Sequence, residues 1–103
     1  MKNELNKEYT DNLGANSESK EPSLYQVVVQ NDDYTPMEFV VGVLEKFFFM
    51  ERREATDVML EAHVKGRAAF GRYTKDLLEA KIVQVMEHAR ISDHPLNCSM
   101  EAA

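Results

Sequence analysis

The stretch NDDYTPMEF, Asn31 to Phe39, joins two segments of opposite character. Before it, LYQVVVQ (Leu24 to Gln30) is β-branched and aromatic. That is strand composition, and the three consecutive valines, Val27 to Val29, predict burial on both faces. Within the stretch, Thr35 is followed by Pro36 and, three residues on, by Glu38. The pattern is that of a capping box with Pro at the first helical position. The helix that follows is predicted to run to about Met50. Its apolar residues Val40, Val43, Leu44 and Phe47 keep the i, i+3, i+4, i+7 spacing of a core-facing stripe, and Phe48, Phe49 and Met50 widen that face.

The remainder of the chain fits the same mixed architecture. ERRE, Glu51 to Glu54, is a polar break. A second helix is predicted from about Glu54 to Lys65, with Ala55, Val58, Met59 and Ala62 on one face and Gly66 as its C-terminal cap. RAAFGRY, Arg67 to Tyr73, reads as a short strand interrupted by Gly71. Thr74 caps a third helix with the stripe Leu78, Ile82, Val85, Met86 and Ala89, which His94-Pro95 ends. Leu96, Cys98 and Met100 alternate with Asn97 and Ser99, a final strand. The order βααβαβ predicts an α+β fold over residues 24–103, a two-layer domain with a three-stranded sheet packed on three helices. Residues 1–23 hold almost no apolar side chains. They cannot bury enough surface to offset their ordering entropy, and are expected to be a flexible N-terminal tail.

Bulk composition narrows the function classes. The 103 residues suit one small core. A formal net charge of −6 repels phosphate backbones, so nucleic acid is not the expected partner. The single cysteine, Cys98, allows no intramolecular disulfide and points to a reducing compartment. The segment MKNELNKEYTDNLG has no apolar h-region, and no apolar run is long enough to span a membrane. A cytoplasmic, monomeric protein is expected. Signatures of catalysis are missing: there is no G-x-S-x-G, no H-E-x-x-H and no Gly-rich phosphate loop. Neither enzyme activity, nor a cofactor, nor a metal is expected.

Three groups of residues could carry binding. Asn31, Asp32 and Asp33 first read as turn and cap residues. Thr35, however, already supplies the expected cap, which leaves them over. In an extended segment Asn31 and Asp33 project to one side, an amide oxygen and a carboxylate suited to an ammonium group. His63 follows Met59 by one turn. A lone histidine on such a face is more often a structural hydrogen-bonder, but a neutral imidazole can also accept a bond from an amine. Met37 and Met59 lie beside these polar residues, either as core filler or as walls of an adaptable pocket.

NDDYTPMEFV, the later MLEAH helix with its Gly, and the terminal HPL-x-C stretch resemble the ClpS family of bacterial adaptor proteins over roughly Tyr25 to the C-terminus. The resemblance implies a small α+β domain that binds N-degron substrates, proteins whose first residue is Leu, Phe, Tyr or Trp. It implies that these are handed to a Clp-family AAA+ unfoldase of the ClpA type, which feeds ClpP. By motif position, Asn31, Asp32, Asp33 and His63 would hold the α-amino group, with Asp33 expected nearer than Asp32. Thr35, Met37, Val40, Met59, Ala62 and Leu96 would wall the side-chain pocket, Met37 rejecting β-branched residues. Asp76 and Lys81 would dock the unfoldase, and the N-terminal extension would assist delivery. Three features depart from the family: Ala62 stands where Val is commoner, Gln30 where an aliphatic is usual, and the stretch after Gly66 is less typical. Ala62 implies a wider pocket that favours Trp or Phe over Leu. The rival readings are a general protein-interaction module indifferent to the first residue, and a metal-dependent hydrolase using Asp32, Asp33 and His63.

Overall fold

The chain folds around a central strand that carries valines on both sides. The computed structural model describes residues 23–103, so the expected N-terminal extension lies outside the described residues except for Ser23. The elements are β1 (Leu24–Gln30), α1 (Met37–Phe48), α2 (Arg52–Lys65), β2 (Arg67–Thr74), α3 (Lys75–Ile91) and β3 (Asn97–Ala102). The order is the expected βααβαβ. The sheet runs β2-β1-β3, with β1 antiparallel to both neighbours.

Strand alternation divides the three valines between two faces. Val27 and Val29 join the core with Val40, Leu44, Ala55 and Leu78, which is where the helices pack. Val28 faces the other way yet keeps only 3% exposure. Its cover comes from the neighbouring strands. Arg67 on β2 lies opposite Gln30, and Glu101 on β3 lies opposite Gln26. Their ion pair, 2.7 Å long, therefore crosses β1 above Val28. Gln26 steadies the roof by donating to the second Glu101 oxygen at 2.9 Å.

Two glycines are needed where they stand. Gly66 ends α2 at φ 91°, donating its N–H to the Ala62 carbonyl at 2.8 Å, as expected of a C-terminal cap. Gly71 has φ 79°, and the register there places one extra residue on β2 between the pairs Tyr25–Tyr73 and Val27–Phe70. The interruption of the RAAFGRY strand is thus a bulge that bends β2 without ending it. A Cβ at Gly71 would meet the Tyr73 ring at 2.6 Å.

Helix boundaries correct the sequence reading in several places. Thr35 does not cap α1: the N-cap is Pro36, with no side-chain cap bond, and Thr35 turns its hydroxyl to Asp32. Glu38 does not fold back either, but pairs with Arg52 across the α1–α2 connection. Thr74 holds the N-cap position of α3 without a side-chain bond. α1 stops at Phe48, short of Met50, because Phe49 takes the left-handed conformation at φ 58° and donates its N–H to the Leu44 carbonyl. A non-glycine residue there costs about 1–2 kcal/mol. On α3, Leu78, Val85 and Ala89 are buried as expected, whereas Met86 is 38% exposed, at the edge of the stripe.

Candidate functional site

The β1–α1 junction opens beside the end of α2 because a backbone hydrogen bond ties them together. The Asn31 N–H donates to the Gly66 carbonyl at 2.9 Å, just past the last turn of α2. Over the last two turns of α2, Met59, Ala62 and His63 share one face by their i, i+3, i+4 spacing. Opposite them, the bend at Asp33–Thr35 feeds into α1, whose first turn presents Met37 and Val40.

The result is a concavity of about 290 Å³, open mouth included. Asn31, Asp32, Thr35, Met37, Val40, Met59, Ala62 and His63 line it, together with Val29 and Gln30. Its walls are graded. Val40, Met59 and Ala62 are buried at the base, whereas Asn31, Met37 and His63 are exposed at the rim. Met37, 45% exposed, contributes a flexible, unbranched side chain to the wall. Among the described residues neither the Asn31 amide nor the His63 imidazole has a side-chain hydrogen bond, so both keep donor or acceptor capacity at the mouth.

Asp32 is the organising residue of the loop. One carboxylate oxygen accepts the N–H groups of Tyr34 at 2.8 Å and Thr35 at 2.7 Å. The other accepts the Thr35 hydroxyl at 2.7 Å. This is an Asx turn, and it holds Thr35 in the loop, one residue before the N-cap at Pro36. Partial burial pushes the Asp32 carboxyl up. The Thr35 hydroxyl and the two backbone N–H groups, with the positive field of His94, outweigh it and hold the carboxyl below its ordinary value. Each of these partners stabilises the charged form.

Two of the sequence-predicted residues are not brought to the concavity. Asp33 is exposed and is not among the lining residues, because the bend breaks the extended geometry that would have aligned it with Asn31. Leu96 is 3% exposed in the core and borders a separate groove beside α3. Val29 and Gln30 also line the site, although the sequence reading named Val29 only as a buried strand residue and Gln30 only as a departure from the family. The signal for Val29 was its core-facing place near the end of β1, two residues before the NDD triplet.

Asp76 and Lys81 lie apart from the concavity on α3. Asp76 is exposed in the first turn. Lys81 is half-buried and donates to the Phe47 carbonyl at 3.0 Å, with its ammonium 4.9 Å from the Phe49 ring centroid. A cation at that point complements the free carbonyls and negative pole of the α1 C-terminus. Cys98 is buried, which pushes its thiol up to about 12 and leaves it protonated and inert. Among the described residues no group of three or more His, Cys, Asp or Glu could hold a metal ion, and no helix is long and apolar enough to cross a membrane.

The family model for the ATP-dependent Clp protease adaptor protein ClpS matches residues 20–99. The chain belongs to the ClpS family. Among its ClpS relatives, an ATP-dependent Clp protease adapter protein ClpS from Vibrio cholerae is 50% identical over 84 residues, 82% of this chain and 79% of that protein. One from Burkholderia cenocepacia is 51% identical over 84 residues, 82% of this chain and 81% of that protein. A solved ClpS structure, Agrobacterium tumefaciens ClpS2 bound to L-phenylalaninamide, superposes with a TM-score of 0.77 at 35% identity. It covers 81% of this chain and 100% of that one.

Proposed function

We propose that this chain is a Clp protease adaptor that binds proteins by a bulky hydrophobic first residue, Leu, Phe, Tyr or Trp, and delivers them to a ClpA-type unfoldase for degradation by ClpP. The observation that carries this reading is the juxtaposition at the β1–α1 junction. Unsatisfied polar groups of Asn31 and His63 sit at the mouth, directly above an apolar base of Val40, Met59 and Ala62. A free N-terminus is the one place in a protein where a cation and a side chain share a carbon. L-Phenylalaninamide, the molecule bound by the Agrobacterium relative, has that same pairing.

Magnitudes are consistent with useful affinity. Burying a Leu or Phe side chain contributes about 1.5–3 kcal/mol, and each hydrogen bond to the ammonium about 1.5–3 kcal/mol. Micromolar binding needs about 8 kcal/mol net, which such a site reaches only if it is preorganised. The bonds of Asp32 within the loop supply that order. Asp32 thus acts on the ammonium through its field, while its oxygens remain bonded to Tyr34 and Thr35. The same engagement weighs against a hydrolase reading, since it leaves little capacity for a metal or a water. Ala62 at the base leaves room for a larger ring and supports a preference for Phe or Trp over Leu.

Delivery is tested with two reporters that differ only in the first residue. With a ClpA-type unfoldase and ClpP, adding this chain is expected to accelerate degradation of the Leu reporter and not of the Ile reporter. Equal acceleration of both, or of neither, contradicts the proposal.

A further inference from the structure

Phe49 is a poor residue for the place it occupies, and that is the starting observation. It ends α1 in the left-handed conformation at φ 58°, where glycine or asparagine is preferred. Its ring is not buried in return: Phe49 is 80% exposed, the most exposed large hydrophobic residue described. The two preceding residues of the same run, Phe47 and Phe48, both pack with other rings.

What Phe49 does touch is a cation. The Lys81 ammonium lies 4.9 Å from its ring centroid and is fixed by the Phe47 carbonyl at 3.0 Å. Among the described residues Lys81 forms no ion pair. Its two further N–H donors meet no carboxylate among the described residues. Leu77, one turn earlier on the same face of α3, is 51% exposed. The patch is therefore an oriented, unpaired cation between two exposed apolar side chains, on a chain whose net charge is −6.

We propose that Phe49 is an aromatic anchor of the unfoldase-docking surface, seated with Lys81 against a carboxylate that lies in an apolar recess of the unfoldase. The inference rests on the adaptor reading above. Charge complementarity selects the occupant: a patch offering one fixed ammonium in an apolar frame is completed by an acid in an apolar frame. Docking would desolvate the ring and the ammonium together, which strengthens their mutual contact and the ion pair with the partner. Interface energy concentrates in a few anchors, aromatic ones among them, that become fully desolvated at the centre of the contact.

The test separates docking from folding because the two respond in opposite directions. Phe49→Asn suits the left-handed conformation better, so its midpoint of thermal unfolding is expected to equal or exceed that of the unaltered chain. Its affinity for a ClpA-type unfoldase, measured with the labelled full chain, is expected to fall about tenfold or more. Binding of a peptide beginning with Leu is expected to be unchanged, since the α1–α2 corner does not line the pocket. Unfoldase affinity within about twofold of the unaltered chain overturns the inference. So does self-association of the chain that Phe49→Asn abolishes while unfoldase binding persists, which would make a second copy the occupant. A parallel Lys81→Ala variant distinguishes the failures. If it weakens docking and Phe49→Asn does not, only the anchor role is lost. If neither does, the docking assignment of Lys81 is lost with it.

Discussion

Replacing Asp32 by Ala is expected to weaken binding of a Leu-initiated peptide by about 10–100-fold, although the acid's oxygens are turned into its own loop. That range corresponds to about 1.4–2.8 kcal/mol. Two losses combine. The negative field at the site disappears, and the Asx turn opens, so that Asn31, Thr35 and Met37 are no longer held in one arrangement. The N–H groups of Tyr34 and Thr35 lose their acceptor, which is expected to cost about 1–2 kcal/mol of stability, as for other lost local caps. Asp32→Asn retains an oxygen for the N–H groups and loses the charge. It should recover most of the stability and only part of the binding. Titration calorimetry and thermal unfolding read the two separately.

The pH dependence follows from the direction of the Asp32 shift. Its carboxyl is lowered from 3.8 in the folded chain, so the unfolded state binds the proton more readily. The stability it contributes is fully present above the unfolded value. It is lost as pH falls through the lower folded value. The stability difference between the unaltered chain and Asp32→Ala should therefore be constant near neutrality and shrink only below about pH 4.

Leu44→Ala is expected to have the largest effect on the fold. Leu44 is fully buried, and its side chain is among the largest buried without exposure. Truncation of such a residue costs about 2–5 kcal/mol through lost transfer energy and the cavity left behind. A domain of this size has total stability toward the low end of about 5–15 kcal/mol. The variant should lose a third or more of its denaturant midpoint with an unchanged slope, in urea unfolding followed by circular dichroism. A stability loss of less than about 1 kcal/mol would mean that the helices close over the gap.

Periodic features of the sequence survived into the structure and local chemical alternatives did not. Three valines in a row placed β1 at the centre, and Gly66 ended α2, because burial and a left-handed cap leave few other solutions. The capping box at Thr35 failed because the helix begins one residue later than the pattern implies: Pro36 holds the N-cap, and Thr35 stays in the loop, donating its hydroxyl to Asp32. That loop moved Asp33 away from Asn31 as well, through one bend that strand periodicity does not encode. Phe49 ended α1 early by taking a left-handed conformation that its composition disfavours. Leu96 has an apolar neighbourhood in either place, and only the packing of β3 against α3 put it in the core. The cover of Val28 by Arg67 and Glu101 depends on the register of two distant strands, which no local pattern reports.

The most direct measurement is fluorescence anisotropy of one labelled peptide in four forms, beginning with Leu, Phe, Ile and N-acetyl-Leu. The account predicts tight binding of the first two. Ile should be weak because branching at Cβ meets the Met37 wall, and the acetylated form weak because Asn31, His63 and the Asp32 field lose their cation. Equal binding of all four, or of none, would mean that the junction is a turn and nothing more, and that the chain recognises its partners by another surface.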